Sequence, residues 1–173
     1  MHTLAQTQLG SNSIHGVYSS PWTTLYRGKY EGRTLPELAF RDPDYLFWTV
    51  EANCFKTDPL KAEAELIYRR SRHIKLPDAV SGSLKVLYDI HPGSGKLCRV
   101  WVIQGDWQPE QFSDHWYLSD YFDLSLPRRL CPFDKAGSKI LVKAIKEHVF
   151  KGARLTKDRC EEFFSDPRNF ASP

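Results

Sequence analysis

The chain has 173 residues, 41% hydrophobic and 13% aromatic, with a formal net charge of +3 from 24 Lys and Arg against 21 Asp and Glu. That is enough for one good core and too apolar for a disordered chain, no run approaches the roughly 18 apolar residues of a membrane span, and the first residues lack the charged-then-apolar pattern of a secretory signal. A cytoplasmic protein is expected, with Cys54, Cys98, Cys131 and Cys160 as free and mostly buried thiols, because their spacings are wide and none forms a C-x-x-C pair.

Residues 1–24 contain no Asp, Glu, Lys or Arg and are rich in Ser, Thr, Gln and Asn. They read as a flexible lead-in, with Val17, Tyr18 and Trp22 as side chains that dock. Residues 25–173 read as one domain. Tyr26 to Tyr30 is expected to form a short strand that turns at Gly32 and pairs with Arg33-Thr34, the glycines supplying positive φ or close backbone approach. Thr34 caps a short helix through Ala39. Asp42-Pro43 and Asp58-Pro59 are helix starts: the carboxylate accepts orphan N–H groups, and Pro fits the first helical position. The first of these helices runs to about Asn53, partly burying Tyr45, Leu46, Trp48 and Val50. The second runs to about His73 and is stopped by Pro77, with Leu60, Ala64, Ile67 and Ile74 on one face.

Lys85–Ile90 and Leu97–Ile103 are β-prone runs about the turn residues His91-Pro92-Gly93-Ser94-Gly95, which gives a hairpin over 85–104. His91–Lys96 is not a phosphate-binding loop. Ile90 stands where the first glycine belongs, Leu97 stands where Ser or Thr belongs, and a strand follows instead of a helix. Residues 107–133 are aromatic and broken by prolines, and His115–Leu118 is either a strand or irregular. Ser138 to Phe150 is helical, closed by Gly152, and Thr156 caps a last helix through Phe164. The fold class is α+β: a small antiparallel sheet with a central hairpin, packed by four or five helices.

The stretch Tyr26–Trp48 contains G-K-Y-x-G-x-x-L-x-E-L followed by D-P-D-Y-L-x-W. Gly28, Lys29, Tyr30, Gly32, Leu35, Glu37, Leu38, Asp44, Tyr45, Leu46 and Trp48 carry it. This resembles the small C-terminal module of exodeoxyribonuclease X-like proteins over residues 25–55. Similar short stand-alone proteins occur in bacteria and phages. Tyr26-Arg27 replaces the usual Phe before Gly-Lys. In those nucleases the chemistry belongs to a separate domain with four acidic metal ligands, which is not recognisable in this sequence. The resemblance therefore implies a nucleic-acid context, with DNA favoured, rather than a nuclease activity.

Charge is distributed unevenly. Residues 85–126 hold three bases against six acids, whereas residues 127–159 hold ten bases against three acids, a local net of +7. Such a surface attracts a polyanion or an acidic partner. The candidate phosphate contacts are Arg27, Lys29 and Arg33 in the opening module, with Tyr30 stacking on a base; Arg69, Arg70 and Arg72 at the end of the second Asp-Pro helix; and Arg128, Arg129, Lys135, Lys139, Lys143 and Lys146. Each has a plain structural alternative. Cations at a helix C-terminus complement its dipole, and a lysine stripe at i, i+4 and i+7 is the solvated side of a helix. Tyr45 and Trp48 are expected in the core. No nucleophile has a partner of recognisable spacing, and no cofactor or metal is implied.

The function expected is a non-catalytic accessory or regulatory protein that binds nucleic acid through basic helices. One alternative is a protein–protein adaptor using Trp107, Phe112, Trp116, Tyr117 and Tyr121. The other is a metal-dependent nuclease using Asp89, with Asp89/His91 or Asp114/His115 as acid–base or metal groups.

Overall fold

Short-range capping fixes most of the helix starts. The computed structural model of the chain describes residues 22–56, 58–77, 84–105 and 115–171. The lead-in up to residue 21, with its docking candidates Val17 and Tyr18, lies outside them, as do Trp107, Phe112 and Asp114.

Helix α1 spans Leu35–Arg41. The Glu37 carboxylate reaches back to the Thr34 N–H at 3.1 Å, so the first turn closes on itself. Helix α2 (Pro43–Glu51) starts where Asp42 Oδ1 accepts the Tyr45 N–H at 3.2 Å. Helix α3 (Asp58–Ser71) buries Leu60, Ala64 and Ile67. It stops earlier than the expected His73. Ile74–Lys75 leaves the helix to form strand β1, which pairs with β5 (Tyr121–Phe122). Ile74 and Phe122 are both fully buried there. The freed helix-end carbonyls find tertiary donors: Leu124 N–H to Ser71 O, and Ala171 N–H to His73 O. Ile74 thus joins the core from a strand rather than from the helix face.

The hairpin forms as expected. Strands β2 (Leu84–Ile90) and β3 (Leu97–Gln104) pair antiparallel, with Leu87 opposite Trp101. Strand β4 (Trp116–Ser119) resolves the ambiguous segment by pairing on the other side of β2, with Leu87 opposite Leu118. Central β2 therefore buries Val86, Leu87 and Tyr88.

Helix α4 (Leu126–Leu130) is short. Helix α5 (Lys135–His148) begins three residues before the expected Ser138 because Asp134 caps it. Asp134 is buried and has two jobs. Its Oδ1 accepts the Gly137 N–H at 2.9 Å, and its Oδ2 accepts the Leu97 N–H at 2.9 Å. One carboxylate thus starts α5 and ties it to the first residue of β3. Gly137 permits that approach, since a Cβ there would meet Asp134 Oδ2 at 2.1 Å and Leu97 Cβ at 2.8 Å. Helix α6 (Lys157–Ser165) is capped by Thr156, and Pro167–Asn169 follows as a 3₁₀ turn.

The described residues hold six α-helices, more than the four or five expected, around a three-stranded and a two-stranded antiparallel sheet. This is an α+β fold. Helix α1 packs against α2, α3 and α6. Its Phe40 ring lies 5.3–5.7 Å from Phe150, Phe163 and Phe164. Trp22 docks on the same layer, donating its indole N–H to Ser165 Oγ at 3.1 Å. Among the described residues no helix is long and apolar enough to cross a membrane. All four thiols are free, but only Cys160 is buried, which pushes its pKa up to about 12; Cys54 and Cys131 are half-buried and Cys98 is exposed.

Candidate nucleic-acid interface

Residues 26–32 form a loop, not the expected strand. The extended pairing sits one step earlier, as a bridge between Thr24 and Thr34, with Gly32 N–H bonded to Leu25 O at 2.8 Å. Gly28 (φ 93°) and Gly32 (φ 81°) take the left-handed conformation that closes the loop. The loop folds Lys29 and Tyr30 onto the cap of α2. Tyr30 Oη donates to Asp42 Oδ2 at 2.5 Å, and Lys29 Nζ donates to the same oxygen at 2.9 Å. Partial burial works to raise the Asp42 pKa, but the hydrogen bonds from Lys29, Tyr30 and the Tyr45 N–H outweigh it and leave the carboxyl below its usual range. The same bond to Asp42 is the main reason the Lys29 ammonium is held above its ordinary pKa. Lys29 Nζ also lies over the Tyr30 ring at 4.8 Å.

This arrangement forms one wall of a groove of about 400 Å³. Helix α5 forms the other wall, through Lys135, Ser138, Lys139, Val142, Lys143 and Lys146. These lysines fall at i, i+4, i+8 and i+11, a stripe about 16 Å long at 1.5 Å per residue. Arg41, at the end of α1, also lines the groove, with Phe40. Six cations therefore line the groove beside a single carboxylate, Asp42. Lys143 has a weak contact to Glu147 at 3.9 Å. Lys135, Lys139, Lys146 and Arg41 have no ion pair among the described residues. Phe40 and Arg41 are shared with a neighbouring depression that also holds Arg33, Arg154 and Lys157. The positive band thus continues past the groove, although Arg33 there is paired to Glu37 at 2.9 Å and Lys157 to Glu161 at 3.9 Å.

The other candidates lie elsewhere. Arg128 reaches Asp44 at 3.1 Å and Glu51 at 2.9 Å, and Arg129 reaches Asp123 at 2.5 Å. Burial opposes the Arg128 charge, but those two carboxylates outweigh it and raise the pKa. Arg128 ties α4 to α2, and Arg129 bonds back to Asp123 just ahead of its own helix. Arg69, Arg70 and Arg72 border a separate cavity against Pro167 and Phe170. There Arg70 donates to Phe164 O and lies over the Phe170 ring, while Arg72 lies over Tyr68. Arg27 lines a different cavity, which shares only Tyr30 with the groove. The single surface expected from three charged segments is therefore made by two of them.

Sequence reasoning missed Arg41, Arg154 and Lys157. Arg154 and Lys157 belong to the excess of bases over residues 127–159, whereas Arg41 stands outside it and carries no signal in the sequence. Trp48 is 44% exposed, against the core position expected, because Leu46 and Phe47 take the buried face of α2. Its ring lies 5.6 Å from Tyr45, which in turn lies 5.1 Å edge-on to Tyr30. Among the adaptor candidates, Trp116 and Tyr117 are exposed on β4, and the Tyr121 ring lies 4.8 Å from that of His73, tilted by 55°. Asp89 pairs across the hairpin with Arg99 at 3.9 Å, and His91 Nδ1 accepts the Ser94 N–H at 3.2 Å within the turn. Among the described residues, no group of three or more His, Cys, Asp or Glu is placed to hold a metal ion. No family model, curated protein or solved structure matches the chain.

Proposed function

We propose that this protein is a non-catalytic accessory module that binds nucleic acid, DNA in the first instance, along the groove between the Tyr30 loop and α5. The observation that carries this reading is the set of six cations lining one concave surface beside a single carboxylate. Unpaired lysines spaced one and two turns apart suit phosphate oxygens, because each contact releases condensed counterions. The lysines position a backbone without reading sequence, so a sequence-tolerant protein is expected. The resemblance of residues 25–55 to the exodeoxyribonuclease X module supports a DNA-processing role in the cytoplasm of a bacterial or phage-infected cell.

Fluorescence anisotropy with labelled single- and double-stranded DNA and RNA tests this. Binding is expected at about 50 mM salt, with a log–log salt slope between about −3 and −4 for four to six phosphates on a single strand. Absence of binding to every probe at that salt overturns the proposal.

A further inference from the structure

The loop that supplies Lys29 to the groove also forms a wall of a second cavity. This cavity has a volume of about 460 Å³ and lies between the loop and the end of α2. Its walls are aromatic, with Tyr26, Tyr30, Tyr45 and Phe55 among its lining. Arg27 and Lys56, both exposed, add two cations, and no carboxylate lines it. Tyr30 is common to the groove and the cavity, so the two spaces meet across a single ring. Beside Tyr30 in the chain, Lys29 lines the groove and Gly28 lines the cavity.

We infer that this cavity receives one unpaired nucleobase from a strand lying in the groove, which makes the surface selective for single strands over duplex. The inference rests on the groove being a nucleic-acid surface. The cavity falls within the range of about 300–1,000 Å³ typical of small-ligand sites. Aromatic walls stack on any base, because every base has a π face. Arg27 and Lys56 suit the phosphates on either side of the inserted base, a charge match that an apolar ligand would leave unused. A duplex must unstack and unpair a base to fill the same space, whereas a single strand has one to give.

The test uses the full chain and three labelled probes of about twelve nucleotides, within the site sizes such grooves take. They are an oligothymidylate, an oligomer of the same length and phosphate count built from abasic sugars, and a duplex. The oligothymidylate is expected to bind about tenfold more tightly than the abasic strand, the order of one stacked base. Cys54 lines the cavity and is half-buried, so its alkylation, followed by peptide mass spectrometry, is an independent readout. Oligothymidylate should slow it and the abasic strand should not, with exposed Cys98, outside both linings, as the reference. Ala52 is exposed and lines the cavity, so Ala52→Trp fills it from the solvent side. That variant, with an unchanged melting temperature, should bring oligothymidylate down to the abasic level. Equal affinity for both single strands, with Cys54 alkylated at its free rate, overturns the base cavity and leaves the groove reading standing. Equal or tighter binding of the duplex also overturns it. Failure of all three probes to bind overturns both.

Discussion

Arg128 and Arg129 of α4 and Lys135, Lys139 and Lys143 of α5 belong to the same basic stretch, yet the fold treats them in opposite ways. The arginines sit at 18% and 48% side-chain exposure and are bonded to Asp44, Glu51 and Asp123. The α5 lysines point into a groove whose only carboxylate is already held by Lys29 and Tyr30. A planar guanidinium with several fixed donors suits bridging two carboxylates at once, as Arg128 does on α2, whereas a compact ammonium on a flexible stem suits a mobile polyanion. Counting basic residues gives both groups equal weight. What separates a clamp from a contact is the presence of a fixed anion nearby.

Reversing the free charges should have the largest effect on binding. Lys139→Glu/Lys143→Glu places two acids on the groove wall opposite Lys29. Affinity for an oligonucleotide at low salt is expected to fall about a hundredfold or more, since two counterion-releasing contacts are lost and two repulsions replace them. Both side chains are exposed, so stability should stay within about 0.5 kcal/mol of wild type. Anisotropy and thermal melting on the same samples check both halves. Unchanged affinity would place the polyanion site elsewhere.

Arg128→Ala should give the reverse profile. It leaves Asp44, whose side chain is 10% exposed, without its guanidinium, and it cuts the link from α4 to α2. The expected cost is about 2 kcal/mol, less than for a fully buried pair because Glu51 keeps contact with solvent. That corresponds to a drop of roughly 4–8 °C in Tm for a chain of this size. Oligonucleotide affinity, measured well below the melting range, should stay within about twofold. A tenfold loss of affinity without a loss of stability would mean that the arginine is a contact after all.

Local chemistry explains why the helix starts were readable. Asp42 and Thr156 each cap a backbone N–H three residues on, and Glu37 reaches back three residues to the Thr34 N–H while the Thr34 hydroxyl itself caps nothing, so the signal and its consequence lie in the same short window. The hairpin was readable for the same reason, with turn chemistry joining two β-prone runs. The end of α3 was not, because Ile74 is drawn off by Phe122, far along the chain. In the sequence Asp134 is one acid among three in a basic segment, whereas in the fold its second oxygen serves Leu97, 37 residues away. The site divides along the same line. The lysine stripe of α5 follows from helical spacing alone. The pairing of Arg128 with Glu51 and Asp44, at separations of 77 and 84 residues, is invisible until the chain folds. Nor does periodicity tell that Arg41 lands beside that stripe.

The smallest expected effect is also the one of opposite sign. Asp42 is the only acid in the groove, and Asp42→Asn removes it. Asn is as good an N-cap as Asp, so the bond from the Tyr45 N–H and the start of α2 should survive. Lys29 is released from its partner and becomes available to a phosphate. Affinity should rise by about two- to threefold at low salt, with a slightly steeper salt slope, as one more cation joins the contact set. Stability should move the other way, and its pH dependence identifies the cause. The Asp42 carboxyl is held below its usual range in the folded state, so its stabilisation is complete above about pH 4 and is lost as the pH falls through the lower folded value. Wild type should therefore melt above the Asn variant at neutral pH, and the gap should close on acidification below about pH 4. A gap that persists unchanged into acid would assign the loss to packing. A variant that binds no more tightly than wild type would show that Lys29 already reaches the phosphate while bonded to Asp42, and so belongs with the lysines of α5 rather than with the clamped arginines of α4.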